Sequence, residues 1–308
     1  MPPLHLTLRQ LQVFACIARR GSTAAAAPEL ALSQSATSSA LTELERLLGH
    51  PLFDRVGRGL QINEQGRTLL PQALATLDSA RTIERLSRGQ GLHWSTVRLG
   101  ASTTLGNHIV PALLARWSAE DTPPALPDKV RIANTADICQ AVAMFELDVG
   151  LIEGPCHHPM LEVQPWLDDE LRVVAAADSP AARQGAIAPL SAAQLRKQRW
   201  LVREAGSGTR ESTDHLLLPH LHHVPLQMEF GSSEAIREAV VLGLGIACLS
   251  RWVVQRDLDQ GRIVSLPTRL PPLKRPCAIV THRARQQHPL LQMLHQRLRA
   301  LDGIPTAA

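Results

Sequence analysis

The chain has 308 residues, a net charge of +4 and 44% hydrophobic residues, a composition typical of a globular protein with two or three domains. No run of eighteen apolar residues is present, so the sequence predicts no transmembrane helix, and its first residues lack the basic start and apolar core of a secretory signal. The five cysteines are scattered without a C-x-x-C pair, which favours a reducing cytoplasm over a disulfide framework. The small positive charge permits nucleic-acid binding but does not argue for it.

The first residues carry a strong helix signal. Thr7 and Gln10 have the spacing of a capping box, an apolar face follows, and Gly21 can supply the left-handed residue at which the helix ends. A short second helix follows, which Pro28 is expected to shorten or kink because proline lacks an amide donor. Ser33 is then the N-cap of a third helix with a leucine-rich buried stripe.

The exposed face of the third helix is small, polar and uncharged, where a solvated helix usually carries Lys, Glu and Arg. Short hydroxyls and an amide at a helix N-terminus can approach base edges, and Gln34 can pair bidentately with adenine. A serine-rich cap that does not contact DNA accounts for the same residues equally well. Two β-prone pieces around residues 56–59 favour the DNA interpretation, because they predict a hairpin wing whose arginines can reach a phosphate or the minor groove. The candidate DNA contacts are Ser33, Gln34, Ser35, Thr37, Ser38, Ser39, Arg55 and Arg58.

Three helices and a wing predict a winged helix-turn-helix domain over residues 1–66, and a long linker helix follows over residues 64–89. At ~1.5 Å per residue this helix extends for about 38 Å. Its narrow apolar seam is expected to pair with a second copy, which would space two recognition helices for a two-fold DNA site. Packing of the seam on its own chain is the alternative. The expected dimerisation residues are Leu70, Ala73, Leu77 and Ala80.

Residues 4–75 resemble the DNA-binding segment of LysR-type transcriptional regulators. The motif LRQLQVFACIARRGS…AAAAPELALSQSATSSALTELERLLGHPLFDRVGRGLQINEQG carries this resemblance and is far more specific than an isolated helix-turn-helix. The resemblance implies that Gln34, Ser35 and Ser38 face bases and that Arg58 is the arginine of the wing. Ser39 stands where many members have Arg, which implies the loss of one phosphate or base contact.

After residues 89–94 the sequence alternates strands and helices, which predicts a mostly parallel α/β region. Lobe I is expected to comprise residues 95–164 and 267–303, and lobe II residues 165–266, with a ligand cleft between them. This region resembles the effector domain of the same regulators, which implies the fold of periplasmic solute-binding proteins. The predicted fold class is therefore α+β and multidomain: a winged helix-turn-helix, a long linker helix and a two-lobed α/β effector domain.

Segments rich in hydroxyls and glycine precede helices in both lobes and predict an anion cradle. They are ASTT at residues 101–104 and REAGSGTR at residues 203–210, and amides and hydroxyls at helix starts favour anions. N-capping without a ligand is the alternative for each segment. Glu153 is expected to face the same cleft and to be neutralised by Arg203 or Arg210, since an unpaired carboxylate repels an anion. The candidate effector contacts are Ser102, Thr103, Thr104, Glu153, Ser207, Gly208, Thr209, Arg210 and Ser232.

Catalysis and metal binding are not predicted. The glycine-rich loop lacks the lysine and the spacing of a P-loop, and no nucleophile–base pair accompanies it, so the sequence predicts no catalytic residue and no cofactor. The runs CHH at residues 156–158 and HLHH at residues 220–223 lack metal-ligand spacing. An enzyme acting on an oxyanion ester and a small-ligand-binding protein without DNA regulation are the alternative functions.

Strings such as DVGLIEGPCH and PWLDDEL resemble a subgroup of the LysR-type regulators that is tied to sulfur-oxyanion metabolism. This resemblance suggests a small anionic effector, sulfite or a related oxyanion. It further implies that double-stranded promoter DNA with an interrupted palindrome is the partner. The implied assembly is a cytoplasmic homotetramer built as a dimer of dimers.

Overall fold

The computed structural model describes residues 5–57, 59–87, 97–120, 126–127, 129–224, 227–285 and 289–299. The chain divides into two compact units, Met1–Leu92 and His93–Ala308. None of the helices in the described residues has both the length and the apolar character needed to cross a membrane. The fold is α+β and multidomain, as predicted, with a helix-turn-helix unit followed by an α/β unit.

The first unit is a winged helix-turn-helix that continues into a long helix. Thr7 and Gln10 form the predicted capping box, and Gly21 ends the first helix with φ 73°. The second helix has only four residues, and Pro28 lies two positions beyond its end. The elements of this unit are α1 (Leu8–Arg20), α2 (Thr23–Ala26), α3 (Gln34–Leu48), β1 (Phe53–Val56), β2 (Gly59–Ile62) and α4 (Glu64–Ser87).

The apolar seam of α4 packs on its own unit. Ala73 and Leu77 are 2% and 3% exposed and belong to the core that α1, α3 and the wing form, and Leu70 packs against that core. Ala80 is half-buried. The prediction of dimerisation contacts at Ala73 and Leu77 is therefore wrong, because α1, α3 and the wing use these residues to close their own core, whereas contacts at the half-buried Leu70 and Ala80 stay a prediction. Ile83, by contrast, is 67% exposed.

The second unit alternates strands and helices. Its strands are β3 (Leu99–Ser102), β4 (Val130–Ala133), β5 (Val149–Glu153), β6 (Leu161–Ala176), β7 (Trp200–Arg203), β8 (Gln227–Phe230), β9 (Ala247–Ser250), β10 (Ile263–Ser265) and β11 (Lys274–His282). Its helices are α5 (Thr103–His108), α6 (Val110–Ser118), α7 (Thr135–Ala143), α8 (Pro180–Ile187), α9 (Ala192–Arg196), α10 (Gly208–Leu221), α11 (Ser233–Val241), α12 (Arg251–Asp259) and α13 (Pro289–Arg299).

Two long strands connect the halves of this unit. β3 pairs in parallel with β4 and β5, and β7 pairs in parallel with β8. β11 runs antiparallel between β5 and β6, and the 16-residue β6 also pairs antiparallel with β9 and β10. Lobe I is thus built on β3, β4 and β5, and lobe II on β7 to β10, each with its own apolar cores. The prediction of a mostly parallel sheet is wrong, because the crossover strands β6 and β11 enter both lobes antiparallel.

Close packing of α7 on the sheet of lobe I fixes one edge of the inter-lobe cleft. Every residue of β3 and β5 is buried. A methyl group on Gly100 would lie 2.4 Å from the Leu147 side chain, and one on Gly150 would lie 2.7 Å from that of Ile138. Because the two strands are parallel, this packing brings their carboxyl ends, Ser102 and Glu153, to the same edge of the sheet.

Candidate functional site

The start of α3 presents most of the predicted polar face. Ser33 caps the helix by accepting a hydrogen bond of 3.1 Å from a first-turn amide, and its hydroxyl lies 2.9 Å from that of Ser35. The side chains of Gln34, Ser35, Ser38 and Ser39 are exposed. The face therefore offers one amide and several hydroxyls, without the long charged side chains that would hold a base edge at a distance.

Thr37 does not belong to this face. Its side chain is fully buried, and its Oγ1 donates to the Ser33 carbonyl oxygen at 2.9 Å. The prediction of a DNA contact at Thr37 is wrong because helical spacing places this residue on the same side as Leu41 and Leu44, which are buried in the core.

The wing is held on α1 rather than standing free. The Leu60 amide donates to the Gly21 carbonyl oxygen at 2.7 Å, and the rings of Phe14 and Phe53 meet edge to face with centroids 5.6 Å apart. Arg55, on β1, is exposed, so its guanidinium is available to a phosphate. Arg58 lies outside the described residues.

In the second unit, the strand ends of lobe I form the predicted edge of the cleft. Ser102 and Glu153 are buried, at 0% and 1% exposure. The Ser102 hydroxyl donates to the Glu153 carboxylate, and the Thr104 amide approaches the same carboxylate at 3.4 Å. Ser102 makes no side-chain cap of α5, so N-capping does not account for this serine. The carboxylate of Glu153 instead takes the donors that an incoming anion would use.

Neither predicted arginine neutralises Glu153. Arg203 pairs with Glu204 through its Nε and Nη2 at 2.7 and 2.8 Å, and Arg210 pairs with Asp214 at 2.7 Å. The prediction of a Glu153 ion pair with either arginine is therefore wrong, because each guanidinium has a carboxylate partner close by in sequence.

A fully buried arginine, Arg275, joins the two lobes, and the sequence reasoning missed it. Its Nε donates to Asp169 at 2.8 Å, its Nη1 to the Thr209 hydroxyl at 2.8 Å, and its Nη2 approaches the Thr104 hydroxyl at 3.4 Å. Burial opposes the charged form of Arg275, but the carboxylates of Asp169 and Glu153 outweigh it and raise the pKa of this arginine. The sequence signal was weak, because Arg275 follows Lys274 at the start of β11 and looks like one of two basic residues at a strand end.

The contacts of Arg275 determine what the two threonines can do. A hydroxyl that accepts a hydrogen bond from a guanidinium must direct its own proton elsewhere. Thr104 and Thr209 are the second residues of α5 and α10, so both hydroxyls can donate near a helix N-terminus, where the helix dipole favours negative charge. Arg275 thus lies beside two hydroxyls of the predicted cradle, and anion binding there stays a prediction.

Gly208 brings the backbone of lobe II against that of lobe I. Its amide donates to the Thr135 hydroxyl at 3.1 Å, and that hydroxyl donates to the Glu153 carbonyl oxygen at 3.0 Å. A methyl group on Gly208 would lie 1.8 Å from the Glu153 carbonyl oxygen, so only glycine fits. These contacts, together with the 3.0 Å hydrogen bond from the Ala136 amide to the Gly206 carbonyl oxygen, are called the lobe seam below.

The remaining predicted contacts lie nearby with local roles. Ser207 and Ser232 cap α10 and α11 and accept amide hydrogen bonds of 3.4 Å each, so N-capping accounts for both. Arg210 donates to the Arg203 carbonyl oxygen at 3.0 Å. Thr103 is half-buried and accepts from Arg203 at 3.5 Å.

A second bridge between the lobes was also missed. Asn107 and His108, at the end of α5, contact one carboxylate oxygen of Glu234 on α11 at 3.0 and 3.1 Å. Burial raises the pKa of Glu234, but the hydrogen bonds from His108 and Asn107 outweigh it and lower the pKa to about 2. Glu234 is therefore ionised at neutral pH and holds the two helices together.

Two family models match the chain. The bacterial regulatory helix-turn-helix protein model of the lysR family matches residues 8–67, and the LysR substrate binding domain model matches residues 90–302. The transcriptional regulator YeiE of Escherichia coli K12 is 48% identical over 285 residues, which cover 92% of this chain and 94% of YeiE.

Two solved structures are also similar. The regulatory domain of CcmR from Synechocystis PCC6803, in complex with 2-PG, is 27% identical with a TM-score of 0.57, covering 66% of this chain and 95% of that domain. Full-length CbnR complexed with its target DNA is 19% identical with a TM-score of 0.57, covering 96% of this chain and 99% of CbnR. The likeness to CbnR concerns the fold alone.

Proposed function

The chain belongs to the LysR family of bacterial transcriptional regulators, and we propose that it reads promoter DNA through α3 and the wing and responds to a small anion bound between its two α/β lobes. It is a DNA-binding regulator with an effector-binding domain, and its relatives are named as transcriptional regulators rather than enzymes.

The exposed face of α3 supports the DNA contacts. Gln34 stands in the first turn of the helix, where recognition helices meet base edges, and Ser35 and Ser38 lie beside it. Arg55 supplies a phosphate contact that positions the helix without reading sequence. CbnR, which shares the fold, was solved on its target DNA. The expected DNA site is an interrupted palindrome upstream of the gene that encodes this chain.

Fluorescence anisotropy with the chain's own upstream region tests these contacts. Gln34→Ala is expected to weaken specific binding by about 5- to 150-fold, the equivalent of one bidentate base contact. Gln72→Ala, an exposed glutamine on α4, is the matched control and should bind as the parent does. Equal affinity of the parent for the upstream region and for a scrambled duplex would contradict sequence-specific binding and would favour a ligand-binding protein without DNA regulation.

The two threonine hydroxyls in front of Arg275 support an anionic effector. Thr104 and Thr209 offer hydroxyl donors from opposite lobes. The carboxylate of Glu153 competes for the same donors. A small oxyanion therefore has to displace this carboxylate from the donors. Family resemblance suggests sulfite, and the CcmR domain in complex with 2-PG supports a small ligand in a domain of this kind.

Calorimetric titration with sulfite, sulfate and acetate tests the effector. Thr209→Val keeps the shape of the side chain but removes its hydroxyl, which is both the donor and the acceptor for Arg275 Nη1. It is expected to weaken anion binding by about 10- to 150-fold, the value of one hydrogen bond to a charged group. Thr268→Val, in the same unit, is the matched control. Glu153→Gln is expected to tighten binding because it removes the competing charge. If none of these anions released or absorbed heat on titration into the parent protein, the proposal of an anionic effector would be contradicted, and the proposed DNA-binding function would be unaffected.

The response would be a shift between two quaternary states of a cytoplasmic homotetramer, which requires that the anion bind one state better than the other. The exposed side of α4, which includes Ile83, supports pairing of two chains through that helix. An enzyme acting on an oxyanion ester, the alternative with the least support, would show turnover of such an ester by the purified protein.

A further inference from the structure

Cys139 and Cys156 lie together in the wall of a cavity of ≈ 330 Å³ in the second unit. Cys139, on α7, is buried, and Cys156, in the loop after β5, is half-buried and packs against the same apolar cluster. His157 and Glu211 also line the cavity, and the side chain of His157 is 74% exposed. A small solute can therefore reach the half-buried Cys156 from the cavity, whereas the neighbouring Cys139 is buried.

The surroundings of the pair make the two sulfurs unequal. The hydrogen bond from the Cys139 thiol is the main cause that lowers the pKa of Cys156 to about 6, against burial and with help from the His158 amide and the charge of His157. The same hydrogen bond, together with burial, raises the pKa of Cys139 far above its usual value. At neutral pH, Cys156 is thus mainly a thiolate and Cys139 a thiol.

A carboxylate of lobe II favours the protonated form of His157. Its Nε2 lies 2.6 Å from the Glu211 carboxylate on α10, and this contact raises the pKa of His157. An imidazolium beside Cys156 stabilises a thiolate. Burial raises the pKa of Cys248 to about 12 and also raises the pKa of Cys277, and in both cases it outweighs the charge of Arg275. Reactivity is therefore concentrated at Cys156.

We propose that Cys156 and Cys139 form a redox-active pair in which a hydroperoxide oxidises Cys156 and Cys139 then closes an intramolecular disulfide. The Cys156 thiolate attacks the terminal peroxide oxygen and breaks the O–O bond; the departing oxygen takes up a proton, leaving a sulfenic acid at Cys156. The Cys139 sulfur then attacks the Cys156 sulfur, and the sulfenic oxygen leaves as water with the Cys139 proton. With hydrogen peroxide, two thiols and one peroxide give one disulfide and two waters.

The position of the pair connects this chemistry to the lobe seam. The disulfide would join α7 to the loop that carries His157, and the same loop carries Gly154, where a methyl group would lie 2.7 Å from the Gly208 carbonyl oxygen. The bond would thus fix the part of lobe I that meets the start of α10. The redox chemistry of the pair does not depend on the anionic effector, because Cys139 and Cys156 line a cavity that does not include Thr104 or Thr209.

Mass spectrometry of the full-length protein tests the proposal. The reduced protein is treated with increasing hydrogen peroxide, alkylated under denaturing conditions and digested without reductant. We expect a peptide pair linked through Cys139 and Cys156 that dithiothreitol separates, with Cys16, Cys248 and Cys277 still alkylated. At pH 7 a thiol with a pKa of about 6 is ionised roughly 30-fold more than an ordinary cysteine, so the rate should rise through pH 6 and then level off.

Variants separate the two roles. Cys156→Ser should abolish peroxide-dependent loss of Cys139, whereas Cys139→Ser should stop at a sulfenic acid at Cys156 that dimedone traps. His157→Gln should shift the pH dependence of the rate upward without preventing the disulfide. Cys248→Ser is the matched control and should react as the parent does. The proposal would be overturned if Cys156 of the parent were oxidised to sulfinic acid without formation of the linked peptides. It would also be overturned if all five cysteines reacted with peroxide at the same slow rate. Neither result bears on DNA or anion binding.

Discussion

Gly208→Ala is expected to open the lobe seam. The added methyl carbon would lie 1.8 Å from the Glu153 carbonyl oxygen and 2.4 Å from the Thr135 hydroxyl. Ordinary contact between such atoms begins near ~3.5 Å, so the two backbones must separate by more than about 1 Å. The nearest obstacle is backbone rather than the end of a flexible side chain, so a rotamer change cannot relieve the overlap.

The cost follows from two contributions. Overpacking of this kind costs about 1–3 kcal/mol, and loss of the hydrogen bond from the Gly208 amide to Thr135 costs about 0.5–1.5 kcal/mol. A total of roughly 2–4 kcal/mol lowers the melting temperature of a unit of this size by roughly 5–15 °C. If the lobes separate instead, the strain is relieved and the cost appears as weaker anion binding.

Differential scanning calorimetry and anion titration of the full-length variant measure both outcomes. Gly231→Ala is the matched control, because a methyl group there meets no atom within 4 Å and the residue precedes a helix of the same lobe. It should leave both quantities nearly unchanged. If Gly208→Ala melted at the same temperature as the control and bound anions as the parent does, the lobe seam would not form in solution. The close contact between Gly208 and the Glu153 carbonyl oxygen would then be refuted.

Three further outcomes are expected. Arg275→Leu leaves Asp169 buried without its partner and should lower the free energy of unfolding by about 3–5 kcal/mol, and adding Asp169→Asn should recover part of this loss. Urea denaturation measures both variants, and equal losses for the single and the double variant would contradict the pairing. The pKa of Glu234 is about 2 in the folded chain against 4.5 ordinarily, so its stabilising contribution is complete above pH 4.5 and is lost as the pH falls toward 2; the gap in melting temperature between the parent and Glu234→Gln should close over that range, and a constant gap would count against the bridge to His108. Leu77→Ala should destabilise the first unit by about 2–5 kcal/mol, whereas Ile83→Glu should leave it folded and reduce self-association in analytical ultracentrifugation. If Leu77→Ala instead reduced self-association without loss of stability, Leu77 would be a dimer contact rather than a core residue.

Local signals predicted local structure well. The capping box at Thr7 and the left-handed Gly21 follow from chemistry within a few residues, and so does the cap at Ser33. The same signals could not say what an apolar or polar face meets. Thr37 and the α4 seam have the expected helical spacing, yet both lie against their own core, because only the three-dimensional packing decides which faces pair.

Long-range contacts account for the rest of what the sequence did not predict. Arg275 and Asp169 are separated by 106 residues along the chain, and no spacing rule links them. The antiparallel entry of β6 and β11 has the same origin, because a strand carries no mark of the direction of its neighbours. Residues 101–104 and 203–210 were predicted as cleft segments because strand ends in α/β lobes share an edge, a property of the topology rather than of any one residue.

The contacts of Glu153 connect the proposed anion site to the geometry of the lobes. Its carboxylate accepts from Ser102, whereas its carbonyl oxygen accepts from Thr135, which in turn holds the Gly208 amide. An anion that displaces the carboxylate therefore acts on the residue to which lobe II is fastened. An anion at a hundred times its Kd contributes about 2.7 kcal/mol to the state that binds it, which is comparable with the cost of Gly208→Ala. At a fixed concentration, an anion that binds the closed lobes should raise the melting temperature of Gly208→Ala less than that of the parent, because closure of the variant again meets the overlap at Glu153. A larger rise for the variant would show that the anion binds the open lobes better.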